Sequence, residues 1–151
     1  MHYVIGDIGN TSTRICLFNQ SKIVKSIIIS TKKIFLKGYI NKILKKLNKK
    51  NLKKKILFSC VVPLAFKRVK KDLKATGFKV LEIKSFNLKK IIKINIQNLK
   101  QLGSDRIVNS IEAKKFKNCL VIDFGTATTF DIVKNGIYEG GVIAPGVRLS
   151  I

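Results

Sequence analysis

Apolar residues along this chain gather into short runs set apart by turn formers. The runs at 2–8, 13–18 and 22–29 have strand length, and Asn19-Gln20-Ser21 turns the second into the third, so they predict an antiparallel meander. Over 33–48 the spacing changes, and Ile34, Phe35, Ile40, Ile43, Leu44 and Leu47 fall on one face of a helix. A strand over 55–62 closes at Pro63. A helix over 64–75 stops at Thr76-Gly77, where glycine suits the position after a helix end, and a strand over 78–83 completes a β-α-β unit. Residues 84–102 mix both periods, with Ile91, Ile92, Ile94 and Ile96, and predict no single element. A helix over 104–116 follows, then strands over 119–123, 128–134 and 137–143, the last two joined by Asn135-Gly136.

The order is β-β-β-α-β-α-β-α, and then β-β-β begins again. This predicts an α/β fold with a mixed sheet over 1–117 and the start of a second, similar domain over 118–151, apparently cut short. Three strands without covering helices are expected to expose an apolar face and an open edge.

The two meander starts carry matching motifs. Val4-Ile5-Gly6-Asp7-Ile8-Gly9-Asn10-Thr11-Ser12-Thr13 and Val121-Ile122-Asp123-Phe124-Gly125-Thr126-Ala127-Thr128-Thr129 each place an Asp at a strand end, then x-Gly and small polar residues, then a second strand. A glycine turn between strands lets backbone N–H groups come close to an anion because no Cβ intervenes. The Asp cannot itself bind phosphate; it suits a Mg²⁺ ion held directly or through water. Two such loops are expected to form two half-sites for one nucleotide.

Composition changes this picture little. The 151 residues suffice for a real core, and the apolar runs fall far short of a membrane span. The N-terminus carries no signal-like segment, which gives a cytoplasmic expectation. Cys16, Cys60 and Cys119 each sit inside an apolar run without metal-ligand or disulfide spacing and read as small buried hydrophobes. The net charge of +23 would suit a polyanion. The lysines, however, spread over helix faces and loops without interleaved exposed aromatics. With abundant Ile and Asn, they match the residue usage of an AT-rich genome, so nucleic acid is not an expected partner. Arginine, by contrast, is scarce: Arg14, Arg106 and Arg148 lie in or beside the glycine motifs, and Arg68 does not.

A third motif, Gly103-Ser104-Asp105-Arg106, opens the helix over 104–116. Helix N-termini attract anions through their free N–H groups and the dipole. An acid and a base side by side there suit different parts of one substrate, Asp105 accepting a hydroxyl proton and Arg106 pairing with a carboxylate or amide. Plain capping by Ser104 or Asp105 fits the same residues.

Taken with Ser59-Cys60-Val61-Val62-Pro63 and Gly140-Gly141-Val142-Ile143-Ala144-Pro145-Gly146, these motifs resemble the type III pantothenate kinases, of the acetate kinase, sugar kinase, Hsp70 and actin superfamily. The resemblance implies ribonuclease-H-like (actin-like ATPase) domains, a homodimer, and transfer of the ATP γ-phosphate to the terminal hydroxyl of pantothenate, the first step of coenzyme A biosynthesis. By the same match Asp7, Ile8, Gly9, Asn10, Thr11, Ser12, Thr13 and Arg14 line ATP, with Asp7 on the Mg²⁺ side. Gly103, Ser104, Asp105 and Arg106 bind pantothenate, and Asp105 is the proton acceptor. Asp123 attends a monovalent cation such as K⁺ or NH₄⁺, and Thr126 faces ATP. Where the family usually has Asn-Pro and often an aromatic residue upstream of Gly103, this chain has Asn98-Leu99 and Ile96.

The expected chemistry is in-line phosphoryl transfer. Two other readings stay open on the residues alone. One is a non-catalytic relative acting as a transcriptional accessory factor, which the presence of Asp7, Asp105 and Asp123 disfavours. The other is a superfamily kinase for a different small hydroxyl substrate, which Gly-Ser-Asp-Arg disfavours.

Overall fold

In the computed structural model residues 1–47 and 52–147 are described. Arg148 and the stretch 48–51 of the basic run lie outside them. The chain divides into two compact units, Met1–Ser85 and Phe86–Ile151.

The first unit is a five-stranded sheet in the order β3-β2-β1-β4-β5. The strands are β1 His2–Ile8, β2 Ser12–Asn19, β3 Lys22–Ser30, β4 Leu52–Cys60 and β5 Lys79–Glu82. The first three form the expected antiparallel meander, while β4 runs parallel to β1 and β5 parallel to β4. Helices α1 Tyr39–Leu47 and α2 Pro63–Lys74 supply Ile40, Ile43, Leu44, Val69 and Leu73 to a core shared with Val4, Ile8, Ile15, Leu17, Ile56 and Phe58. Pro63 stands in the first turn of α2, where its missing N–H costs nothing. Gly77 ends that helix in the left-handed region at φ +80°, with Phe78 N–H bonded back to the Leu73 carbonyl.

One helix differs from expectation. The segment 33–48 is not continuous: a 3-10 turn covers Thr31–Phe35, Leu36 is extended, Gly38 takes φ +70°, and α1 begins at Tyr39. The cause is non-local. Thr31 is tied by its backbone and its hydroxyl to the loop after β1, so the chain is turned early, and Gly38 supplies the left-handed step into α1.

Gly6 is dictated by packing. It is the β1 partner of Phe58 on β4, and a Cβ there would lie 2.0 Å from the Phe58 ring, which is fully buried. Gly6→Ala is therefore expected to destabilise the first unit by about 1–3 kcal/mol, the usual range for overpacking. Chemical denaturation measures it, and Gly6→Ala combined with Phe58→Leu is expected to lose less than the two single changes summed.

The second unit is a four-stranded sheet in the order β6-β9-β8-β7. Its strands are β6 Lys93–Ile94, β7 Cys119–Phe124, β8 Ala127–Lys134 and β9 Ile137–Pro145. Strands β7, β8 and β9 form an antiparallel meander, and Asn135-Gly136 makes the expected tight turn with positive φ at both residues, +52° and +72°. The ambiguous stretch 84–102 becomes three short 3-10 turns and β6, which pairs parallel with β9. Helix α3, Ser104–Ala113, packs on β7 and β8 and is followed by a 3-10 turn over Lys114–Phe116. One sheet face meets α3. From the other, Leu120, Ile122, Phe124, Ile132 and Val142 stand exposed.

Candidate active site

The first loop is a short turn braced from two later segments. Gly9 N–H donates to the Ser12 carbonyl at 3.0 Å, closing the turn between β1 and β2. A Cβ on Gly9 would stand 3.0 Å from that same oxygen, a tight contact that glycine avoids. Thr31 holds the loop from behind: its hydroxyl donates to the Gly9 carbonyl at 2.7 Å and lies 3.0 Å from the Thr13 hydroxyl, and its N–H donates to the Thr11 carbonyl at 2.9 Å. Val61 N–H, just past β4, donates to the Ile8 carbonyl. These bonds fix the backbone and leave Asn10, Thr11 and Ser12 exposed. Asp7 and Arg14 are direct cross-strand partners, both exposed, with Ser59 of β4 opposite Asp7. The side chains of Ile8 and Thr13 are buried in the core, so those two residues offer a ligand only backbone.

In the second unit Gly103 occupies the N-cap position of α3 and makes no side-chain cap. Ser104 is buried, and Asp105 is half-buried with Oδ1 accepting the Arg106 N–H at 2.7 Å. Asp105 thus contributes to capping, although the cap position itself belongs to glycine. Ser110 returns its hydroxyl to the Arg106 carbonyl one turn on.

The Arg106 side chain crosses to the sheet. Its Nε donates to Asp131 Oδ1 at 2.8 Å, and Nη2 lies 2.7 Å from the same oxygen, an ion-pair contact poorly aligned for a hydrogen bond. Tyr138 on β9 donates its hydroxyl to that oxygen too, at 2.7 Å. Asp131 is fully buried and Tyr138 almost so, and Asp131 Oδ2 has no hydrogen-bond partner among the described residues. Burial opposes the Arg106 charge, yet the Asp131 carboxylate more than offsets it and the guanidinium pKa is pushed up. Burial, then the Asp131 carboxylate, raises the Tyr138 phenol well above its usual value, so at neutral pH Tyr138 is a donor. A raised folded-state pKa means that this contribution to stability is complete below the ordinary phenol value of about 10 and declines as pH rises through it.

Arg106 lines a cavity of about 680 Å³ together with Asn95, Ile96, Asn98, Gln101 and Glu139. The stretch 84–102 that resisted assignment supplies much of this wall. Asn95 N–H bonds the Tyr138 carbonyl, and the Asn95 side chain donates to Glu139 at 2.6 Å.

The second loop follows β7. Gly125 N–H closes it on the Ala127 carbonyl at 3.1 Å, and Asp123 and Thr126 are exposed. Asn109, three residues along α3 from Arg106, donates to Asp123 Oδ2 at a long 3.4 Å. Gly146 lies flat on this loop: a Cβ there would stand 2.4 Å from the Thr126 carbonyl oxygen. Among the described residues no group of three or more His, Cys, Asp or Glu could hold a metal ion.

Within the first unit the structure therefore gathers Asp7 to Arg14 in one braced loop. Within the second it gathers Gly103 to Arg106, with Asp123 linked to α3 through Asn109. The sequence motifs did not include Asp131 and Tyr138, and they held Gly141 only as one residue of the Gly140 to Gly146 stretch, with no role attached. Asp131 had a legible mark, a lone carboxylate inside the apolar run Phe130-Asp131-Ile132-Val133. Tyr138 had none.

The arrangement is that of an actin-like or sugar-kinase-like fold. The chain superposes on a putative Baf family transcriptional activator from Campylobacter jejuni with TM-score 0.56 and 23% identity, covering 97% of this chain and 56% of that one. It superposes on the ethanolamine utilization protein EutJ from Carboxydothermus hydrogenoformans with TM-score 0.55 and 14% identity, covering 97% and 52%. At these identities the likeness is one of fold. Residues 3–151 match the family model of type III pantothenate kinase, and the chain belongs to that family. It is 49% identical over 152 residues to the type III pantothenate kinase of Pelagibacter ubique, covering 98% of this chain and 60% of that protein. It is 37% identical to the type III pantothenate kinase of Fervidobacterium nodosum, covering 96% and 59%. The chain thus spans about 60% of the length of these relatives.

Proposed function

We propose that this chain carries the nucleotide loop and the substrate motif of a type III pantothenate kinase, which transfers the γ-phosphate of ATP to the terminal hydroxyl of pantothenate and opens coenzyme A biosynthesis. The observation that carries the reading is the first turn of α3. Asp105 stands half-buried beside an Arg106 whose guanidinium is locked and faces a cavity walled by amides.

In this reading residues Asp7 to Arg14 bind ATP, mainly through backbone N–H groups of the Gly9 to Ser12 turn, and Thr126 meets the nucleotide as well. Asp7, a single exposed carboxylate at the loop, suits Mg²⁺, which takes one or two protein carboxylates and completes its shell with phosphate oxygens and water. The ion supplies charge neutralisation on the phosphates when bound. Asp123 has the hard oxygen that K⁺ or NH₄⁺ needs, and its carboxylate is oriented by the Asn109 amide. Gly103 and Ser104 shape the entry to α3, Arg106 holds pantothenate by charge-assisted hydrogen bonds, and Asp105 accepts the hydroxyl proton. Ile96 forms the cavity wall where the family often carries an aromatic residue.

The wider frame belongs to the same proposal: a first ribonuclease-H-like domain over 1–117, a second beginning at 118, a homodimer, a cytoplasmic location and no nucleic-acid partner. No described helix is long and apolar enough to cross a membrane.

A substrate panel tests the reading. With ATP, Mg²⁺ and K⁺, the longest protein containing this chain is expected to phosphorylate pantothenate, seen as the phosphate ester by mass spectrometry. Sugars and acetate are expected to remain unmodified. Phosphorylation of a sugar with pantothenate untouched would replace it with another kinase of the same fold.

A further inference from the structure

We infer that Asp131 and Tyr138 are positioning residues for Arg106, fixing the guanidinium in the one orientation that presents Nη1 to the cavity. This rests on the reading of Arg106 as a substrate-holding residue.

An arginine at a helix start has a long side chain with many rotamers, and α3 alone fixes only its Cα. Here three neighbouring features remove that freedom. Asp131 projects inward from β8 with no exposure to solvent; its Oδ1 accepts from Nε and stands in ion-pair contact with Nη2. Tyr138, one strand over on β9 and 1% exposed, donates to the same oxygen, so the carboxylate is held against rotation by a group that never meets the cavity as a charge. Gly141, the cross-strand partner of Asp131, leaves the space that the guanidinium occupies: a Cβ there would lie 2.7 Å from Arg106 Nη2.

The arrangement has a chemical consequence beyond rigidity. Arginine has five N–H donors; Asp131 engages the Nε side of the fork and Nη2 is buried against it, which leaves Nη1 as the donor for a ligand. The buried carboxylate also balances the guanidinium charge. A ligand in the cavity therefore meets an oriented donor edge rather than a bare cation, so the network governs the alignment of the bound substrate more than its attraction. Alignment of this kind appears in turnover more than in binding. The effect is expected in kcat, with KM moved little.

Two arms test this. The first needs no ligand. The chain has four arginines, so its Nε–Hε resonances are few, and Arg106→Lys assigns the relevant one. In the native chain the Arg106 Hε is expected to exchange with solvent far more slowly than that of exposed Arg14. Tyr138→Phe, which deletes one hydroxyl from the network, is expected to speed that exchange about five- to tenfold, the worth of one hydrogen bond. A residue with a merely structural role would lower the melting temperature and leave this exchange unchanged, and that result would overturn the inference. The second arm is steady-state kinetics on the longest protein containing the chain. Tyr138→Phe is expected to lower kcat for pantothenate about tenfold with KM within about threefold of native, a split characteristic of misalignment. Asp131→Glu is expected to recover part of the kcat lost in Asp131→Asn. A raised KM with kcat intact would overturn the inference. Absence of pantothenate turnover in the native protein would instead defeat the kinase reading, and the exchange arm would still decide whether the two residues hold Arg106.

Discussion

Asp105→Asn in the longest protein containing this chain is expected to cut pantothenate phosphorylation by about 10²–10⁴, the range usual for a lost general base, while ATP affinity stays within about twofold. The expectation follows from where Asp105 sits. It lies in the first turn of α3, half-buried, one residue from an arginine fixed across to β8. An amide at this position keeps the shape of the side chain and can still accept from the Arg106 N–H, so the helix start is expected to survive. What it loses is the capacity to take a proton. Initial rates over a range of pantothenate concentrations, with nucleotide binding measured separately by calorimetry, distinguish the two roles. Wild-type turnover in this variant would remove Asp105 from the chemistry and leave it a capping residue.

Gly141→Ala is expected to damage both fold and site. A Cβ at this position would stand 1.9 Å from the Phe130 carbonyl oxygen, 2.7 Å from Arg106 Nη2 and 2.9 Å from the Asp131 Cα. The first and last of these are backbone atoms in the middle of the β8–β9 ladder and cannot swing aside as a side chain can. Overpacking of this sort costs about 1–3 kcal/mol, and displacement of the guanidinium from a buried carboxylate adds to it, since a buried ion pair that loses one partner is destabilised by about 3–5 kcal/mol. Urea denaturation of the second unit is expected to show a lower midpoint, and the slow Arg106 Hε exchange is expected to disappear. Gly125→Ala makes a useful contrast, because the nearest atom to a Cβ there lies at 3.4 Å. Equal loss in the two variants would mean that Gly141 matters for chain flexibility rather than for the space it leaves to Arg106.

The sequence foretold these elements unevenly, and the reasons are physical. The strands of both meanders were legible because their apolar runs are short and end at turn formers, as at Asn19-Gln20-Ser21 and Asn135-Gly136. Helix α2 was legible at both ends through Pro63 and Gly77. The break within 31–47 was not, because its cause is Thr31 bonding to Gly9 and Thr11, about twenty residues away, and a periodicity count sees only neighbours. The stretch 84–102 resisted assignment for a related reason. Its order comes from pairing with β9, as in Asn95 to Tyr138, and not from a local period.

The site divides along the same line. Asp7, Asp105 and Asp123 announce themselves because glycine and carboxylate stand together at strand or helix ends. The residues that orient Arg106 do not. Asp131 could be suspected as a carboxylate inside an apolar strand, but Tyr138 reads as one more aromatic, and Gly141 as one residue of the Gly140 to Gly146 motif. Only the packed sheet shows that the three converge on the Asp131–Arg106 pair.

Whether this chain bears the proposed pantothenate kinase chemistry is decided by pantothenate-dependent release of ADP. It is measured with Mg²⁺ and K⁺ present, on the longest protein that contains this chain and on the chain alone. Release by the longer protein is expected to require pantothenate and to fall with Asp105→Asn. ADP release indifferent to pantothenate, or none from a folded protein with Asp7, Asp105 and Asp123 intact, would contradict the kinase reading.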